Sequence, residues 1–321
     1  MKKLLSVLAA LTLLLSACVF ASAEGDTYEI GILQFVQHPA LDLATEAFCQ
    51  ALKDKLGDRV VFIEQNASGE VPNCATLAAQ LVSKQVDLIM ANATPPLQAC
   101  SNATSDIPIL GTSVTDYQTA LEIELTAEDA TGFNVSGTSD LAPLDQQAAM
   151  VRELFPEAKT VGLLYCSGEA NSVYQIKKVE EYLTGMGLEC KRYSFNDSND
   201  LSAVAQTATE CDVIYIPTDN TCANNTEAIA NVVLPAKVPV IAGEEGICKG
   251  CGIATLTISY YDIGYKTGEM AYEILVNGAD ISTMPIAYAP QAVKKFNSAN
   301  AAELGVAIPD EYQPIEEDVE E

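Results

Sequence analysis

The segment VDLIMANATP (residues 86–95) is echoed by CDVIYIPTDN (211–220), and IPIL (107–110) by VPVI (238–241). Each echo belongs to a longer alternation of short β-rich runs with helical patterns. In the first half these are YEIGILQ (28–34), a helix from about Pro39 to Leu56, RVVFIEQ (59–65), a helix from about Asn73 to Lys84, VDLIMANA (86–93), a helix from Pro95, and IPILG (107–111). In the second half the order returns as TVGLLYC (160–166), a helix from about Asn171 to Gly185, LECKRYSF (188–195), a helix near 201–209, CDVIYIP (211–217), a helix near 223–233, and VPVIAG (238–243). Near-continuous apolar strands alternating with helices require a parallel sheet covered on both faces. Two such series predict two α/β lobes.

The stretch TGFNVSGTSD (131–140), rich in glycine and small polar residues, reads as the connection between lobes. The helix pattern of 260–278, ending in Gly278, crosses back, and the chain from about Ile286 crosses again. The expected division is residues 28–134 with about 262–282 in lobe 1, and about 138–258 with 286–313 in lobe 2. Three crossings imply a hinge.

The chain opens on Met1-Lys2-Lys3, an apolar core from Leu4 to Leu15, and Ser16-Ala17-Cys18. A basic start before an apolar run too short to span a bilayer reads as an export signal, residues 1–17. Leu15-Ser16-Ala17-Cys18 resembles a bacterial lipobox, which would make Cys18 the lipidated first mature residue, followed by an anchor linker, 18–27. Cleavage after Ala23 is the alternative. The expected location is extracytoplasmic. Seventeen Lys and Arg against 44 Asp and Glu give a net charge of −27, which argues against nucleic acid as a partner. The acidic end, 314–321, reads as a solvated tail. Nine cysteines follow Cys18, and the lone CKGC (248–251) lacks the four ligands of a structural zinc; no metal or cofactor is expected.

In open parallel sheets the ligand lies beyond the carboxyl ends of the strands. The residues there are polar: Gln34 to His38, Asn92 to Thr94, Thr112 to Asp116, Gly168 to Ser172, and Thr218 to Thr221. Helix starts favour a carboxylate, so Thr94, Asn171 and Ser172 are candidates for holding one, with Asp219, Asp116 and Glu169 as partners for an ammonium. The same residue types also cap helices, and recurrence in two lobes is what favours the zwitterion reading.

The segments QFVQHPALD, ANATPPLQA, SVTD, LLYCSGEANS, YIPTDNT, TISYYDIG with KTGEMA, and LGVAIPDEY resemble, in that order, the TrpX-like ABC transporter substrate-binding proteins. The resemblance covers about residues 28–313. It implies a periplasmic-binding-protein type I fold, an aromatic amino acid ligand, delivery to an ABC permease and its ATPase, and a monomer on a lipid anchor. The residues it puts around the cleft are Gln34, His38, Thr94, Thr115, Asp116, Glu169, Asn171, Ser172, Asp219, Asn220 and Tyr261. His38, the single histidine, would with Pro39 shape the first cleft helix and hydrogen-bond the ligand. Tyr117 stands where the family pattern has proline.

Two other classes compete. An exported hydrolase would use Cys166 or Ser167 with His38 as base, but no G-x-S-x-G surrounds them. A ligand-sensing lipoprotein that signals to a membrane partner would share the same pocket.

Overall fold

The computed structural model describes residues 27–316. Residues 1–17, expected to form an export signal, Cys18, and residues 317–321 of the acidic tail lie outside the described residues. Among the described residues no helix is long and apolar enough to cross a membrane.

The first lobe is built from β1 (Tyr28–Gln34), α1 (Pro39–Leu56), β2 (Val60–Asn66), α2 (Val71–Lys84), β3 (Leu88–Asn92), α3 (Thr94–Ala103), β4 (Ile109–Val114), α4 (Tyr117–Leu121) and β5 (Val135–Ser139). The second follows as α5 (Leu144–Leu154), β6 (Thr160–Cys166), α6 (Ala170–Gly185), β7 (Glu189–Phe195), α7 (Ser198–Ala208), β8 (Val213–Ile216), α8 (Asn220–Ala223), α9 (Thr226–Val233), β9 (Val240–Ala242), α10 (Glu245–Gly250) and β10 (Ala254–Thr257). The chain then returns through α11 (Tyr260–Leu275) and β11 (Ala287–Tyr288) and ends in β12 (Val293–Phe296), α12 (Ser298–Leu304) and β13 (Gln313–Pro314).

The first sheet runs β11-β5-β4-β3-β1-β2 and the second β13-β12-β10-β9-β8-β6-β7. Pairing is parallel throughout except between β12 and β10. Burial explains why: Leu88 to Asn92 and Val213 to Ile216 are buried at every position, as strands sandwiched between helices must be. This is the two-lobed α/β fold that the sequence pattern implies. Its useful feature is the shared strand order. In each lobe the chain winds one way and then reverses, between β1 and β3 in the first and between β6 and β8 in the second. Ligand crevices of doubly wound sheets open at such reversals.

Two lobe boundaries differ from the sequence expectation. Residues 135–139, read as a linker, form β5 in the first sheet, with Gly111 paired to Gly137. A side chain at Gly137 would meet the Gly111 carbonyl oxygen at 2.0 Å, so the small residues permit close strand packing, and the crossing begins only after Ser139. Likewise Ala287 and Tyr288 pair with Thr138 and Ser139 in the first sheet, so the third crossing lies between Tyr288 and Val293, later than the expected 286.

Helix α11 lies on α1. A Cβ at Gly264 would sit 2.2 Å from the Ala44 carbonyl oxygen, and one at Gly268 would sit 2.6 Å from Ala51 Cβ. Glycine and alanine here let two helix backbones nearly touch. The contact ties the helix that returns from the second lobe to the helix that begins at His38.

Candidate ligand-binding cleft

At the reversal point of the first lobe, Asn92 ends β3 and its Nδ2 donates to the Leu41 carbonyl (2.8 Å) and to Thr45 Oγ1 (2.9 Å). Ala93 then takes φ 92°, a conformation costly for a residue with a Cβ, and Thr94 opens α3 with no side-chain cap beyond it. On β4, Ser113 also has positive φ, 55°. Such strain, of order 1–3 kcal/mol per residue, persists only where surrounding structure imposes it, and both positions lie where strands meet the cleft. Across the cleft, Asn171 occupies the first turn of α6, and its Nδ2 donates to the Thr218 carbonyl at 2.9 Å.

These four residues share an exceptional property. Among the described residues seven buried side-chain polar atoms lack a hydrogen-bond partner, and four of them are Asn92 Oδ1, Thr94 Oγ1, Ser113 Oγ and Asn171 Oδ1. Buried polar atoms are nearly always paired, so their concentration at the strand ends of facing lobes marks a polar binding site.

The lobes also touch directly. His38 is buried at the start of α1, and its Nε2 lies 3.2 Å from Asn220 Oδ1 at the start of α8. Burial pushes the imidazole pKa down, so the neutral ring is favoured. Cavities flank this region: one of about 460 Å³ lined by Phe35, Val36, Glu169 and Asn220, and one of about 410 Å³ lined by Pro39, Ala40, Glu244 and Tyr260.

The cleft holds buried acids and no buried Lys or Arg among the described residues. Glu169 Oε1 accepts from the Thr221 N–H (2.9 Å) and hydroxyl (2.8 Å), while Oε2 accepts from the Asn220 N–H (3.0 Å) and Nδ2 (2.6 Å). Asp219 caps α8 from its Oδ1 to the Cys222 N–H (2.8 Å), and its Oδ2 takes the Cys166 N–H (2.7 Å); the Ser172 hydroxyl binds it too. Burial, and the other carboxylate beside it, push Glu169 up; burial does the same to Asp219. Asp140, on the first crossing, accepts from Thr115 Oγ1 (2.9 Å) and the Tyr260 hydroxyl (3.0 Å), and burial raises it. Glu244 caps α10 through the Gly246 and Ile247 N–H groups, and burial pushes it up to about 7.

The sequence-derived set thus divides. His38, Thr94, Glu169, Asn171, Ser172, Asp219 and Asn220 are buried at the two reversal points, and Thr115 lies beside them at the hinge. Gln34 is buried but spent: its Nε2 holds Asp42 and the Val36 carbonyl, and its Oε1 takes the Thr45 hydroxyl, bracing the loop before His38. Asp116 caps α4 through the Thr119 N–H. Tyr261 does not join the group. It is 42% exposed and stacks on Tyr265 at 5.9 Å, whereas Tyr260, 6% exposed, is the aromatic residue that reaches the hinge. Asp140 and Glu244 lie outside every sequence-derived candidate group, whereas Asn92 and Ser113 fall within the polar strand ends and Tyr260 is among the tyrosines that the sequence offers as aromatic walls, although none of the three is in the set drawn from the resemblance. The sequence signal for Asn92 is its place at the end of a strand run, two residues before Thr94, the same strand-end position logic that selects Asp219 and Asn220.

Cys166 Sγ donates to the Asn196 carbonyl at 3.3 Å, and Ser167 Oγ to the Phe195 carbonyl at 3.0 Å; neither is held by His38. Burial pushes the Cys166 thiol up to about 12. The nine cysteines of the described residues are free thiols.

A family model for ABC transporter substrate binding proteins matches residues 29–316. The chain is 37% identical over 261 residues to a tyrosine-binding protein of Clostridioides difficile (strain R20291), covering 80% of this chain and 75% of that one. Among solved structures, an ABC domain in complex with L-Trp from Streptococcus pneumonia aligns at TM-score 0.86 and 31% identity, covering 90% of this chain and 100% of that one. The ligand-free, open structure of a substrate binding protein with adhesive properties from Clostridium difficile aligns at 0.68 and 34% identity, covering 90% and 99%. At nearly equal identity, the whole chain superposes better on the L-Trp complex than on the open form.

Proposed function

We propose, since this chain belongs to the family of ABC transporter substrate-binding proteins, that it captures one aromatic amino acid between its lobes and presents the closed form to a membrane permease and its ATPase. The observation that carries the ligand class is the cleft itself: unpartnered buried polar atoms from both lobes, an acidic interior with no buried Lys or Arg among the described residues, and likeness to a tyrosine-binding protein and an L-Trp complex. The ligand site comprises His38, Asn92, Thr94, Ser113, Asn171 and Asn220, with Phe35 and Tyr260 as aromatic walls.

Binding works by hinge closure about the three crossings. A ligand shifts the lobes only through contacts that the closed state alone makes, and a site divided between two lobes supplies such contacts. The protein acts outside the cytoplasm as a monomer anchored by lipid on Cys18. The hydrolase alternative finds little support in the geometry: burial raises the Cys166 thiol, its Sγ faces the Asn196 carbonyl, and His38 faces Asn220. Native mass spectrometry of the mature chain, purified without denaturant, tests the reading. A co-purifying or added aromatic amino acid bound one to one supports it; retention of a sugar or nucleoside instead would refute the ligand class.

A further inference from the structure

The acidic cleft suggests an ion pair with the ligand ammonium, yet every oxygen of the buried carboxylates already has a protein donor, whereas two buried amide oxygens have none. Asp140, Glu169, Asp219 and Glu244 each accept protein hydrogen bonds on both oxygens. Of the four unpartnered cleft atoms, two are hydroxyl oxygens, of Thr94 and Ser113, and two are amide oxygens. Asn92 has its NH₂ fixed by the Leu41 carbonyl and Thr45, and Asn171 has its NH₂ fixed by the Thr218 carbonyl. Those contacts settle which way each amide faces, leaving both oxygens as pure acceptors. An ammonium has three donors and no acceptor. Asn92 and Asn171 stand at the reversal points of opposite lobes, which the His38 to Asn220 contact brings together.

We infer that the α-ammonium of the bound amino acid is read by two neutral amide oxygens, Asn92 Oδ1 of the first lobe and Asn171 Oδ1 of the second, and that the hydroxyls of Thr94 and Ser113 donate to its carboxylate. This rests on the amino acid reading above. The surrounding acids supply a negative field that favours a cation, while the amides fix its position. Because the two oxygens come from different lobes, the ammonium is itself a contact that exists only on closure.

The test is calorimetric titration of the mature chain with L-tryptophan and L-tyrosine and with indole-3-propionate and 3-(4-hydroxyphenyl)propionate, which lack the amino group. Wild type is expected to prefer each amino acid to its des-amino partner. Asn171→Ala and Asn92→Ala are each expected to weaken the amino acids by about tenfold or more, as for a lost hydrogen bond to a charged group, and to leave the des-amino acids within about threefold. Equal weakening of both ligand types would overturn the assignment while leaving the ligand class standing. A wild type that binds neither aromatic amino acid would overturn the ligand class and this inference with it. Asn92 also ties β3 to α1, so circular dichroism checks each variant; if Asn92→Ala does not fold, the Asn171→Ala result decides, since the inference requires both oxygens.

Discussion

His38 Nε2 lies 3.2 Å from Asn220 Oδ1, and Asn220 in turn donates from its Nδ2 to Glu169. With the amide nitrogen committed, its oxygen is the acceptor, so His38 donates and carries its proton on Nε2. A chain of two hydrogen bonds therefore joins the start of α1 in one lobe to a buried carboxylate in the other. His38→Ala should weaken ligand binding by about 1 kcal/mol, roughly fivefold in Kd, because the lost bond belongs to the closed state. Titration calorimetry gives the affinity, and solution scattering reports whether the liganded variant is less compact. An unaltered Kd would leave the contact without a role in closure.

Asp219 illustrates a carboxylate that serves the protein. It closes the first turn of α8 and also holds the Cys166 N–H at the end of β6. Asp219→Ala would leave two buried N–H groups unpaired, and the expected cost is about 2–4 kcal/mol of folding stability. Urea unfolding measures it. A variant of normal stability that had lost ligand affinity would return Asp219 to the role of direct ammonium partner.

The legibility of this chain follows from what each feature depends on. Strand runs such as VDLIMANA and CDVIYIP are visible because strands buried on both faces must be apolar throughout. The strand ends, and with them His38, Thr94, Asn171 and Asn220, follow from the doubly wound topology alone. By contrast β5, with the sequence VSGTS, looked like a linker because glycine and serine were selected for close strand packing, which only the neighbouring Gly111 reveals. The choice between Tyr260 and Tyr261 was also hidden: adjacent residues at a helix start differ by about 100° in direction, and the docking of α11 on α1 decides which one turns inward. Residue type does not tell whether Glu169 and Asp219 meet a ligand or a helix end, since a carboxylate accepts from an ammonium and from free helix N–H groups alike.

Stability should fall as pH rises from about 5 to 7. Glu244 has a folded pKa of about 7 against an ordinary carboxylate value of 4.5, so its contribution is fully present below 4.5 and is lost as pH rises through 7. Asp140, Glu169 and Asp219 are raised by burial and act in the same sense. His38, lowered by burial, opposes them: its contribution is present above 6.5 and lost as pH falls. The acids outnumber it. Each proton bound in the folded state and released on unfolding contributes a slope of about 1.4 kcal/mol per pH unit. Denaturation midpoints at pH 5, 6 and 7 measure the slope, and Glu244→Gln should flatten it. A midpoint that climbs over this range would contradict the burial argument.

The two adjacent tyrosines separate hinge from surface. Tyr260→Phe removes a donor to buried Asp140, a charge-assisted bond of about 1.5–3 kcal/mol, and should lower both thermal stability and ligand affinity. Tyr261→Ala removes an exposed ring stacked on Tyr265 and should change stability by no more than about 0.5 kcal/mol, with affinity unchanged. Calorimetric Tm and Kd for both variants check the pair. Loss of binding in Tyr261→Ala would restore that residue to the cleft.

Gly264 sets how closely α11 approaches α1, and His38 is the N-cap residue of α1. A methyl group there meets backbone, with the Ala44 carbonyl oxygen at 2.2 Å and its Cα at 2.7 Å, and backbone cannot swing aside as a side chain can. The helices must separate. Gly264→Ala should cost about 1–3 kcal/mol from overpacking, and the shift of α1 should move His38 away from Asn220 and weaken ligand binding as well. Gly185→Ala is the matched control: it also replaces a helical glycine, at the end of α6, but its new methyl group meets nothing within 4 Å. That change should be neutral or stabilising by up to about 1 kcal/mol. Tm and Kd for the two variants distinguish steric contact from helix propensity, because propensity alone favours alanine at both sites. If Gly264→Ala were as stable as wild type and bound ligand normally, α1 and α11 would have room to separate without disturbing the cleft, and their contact would be packing with no part in closure.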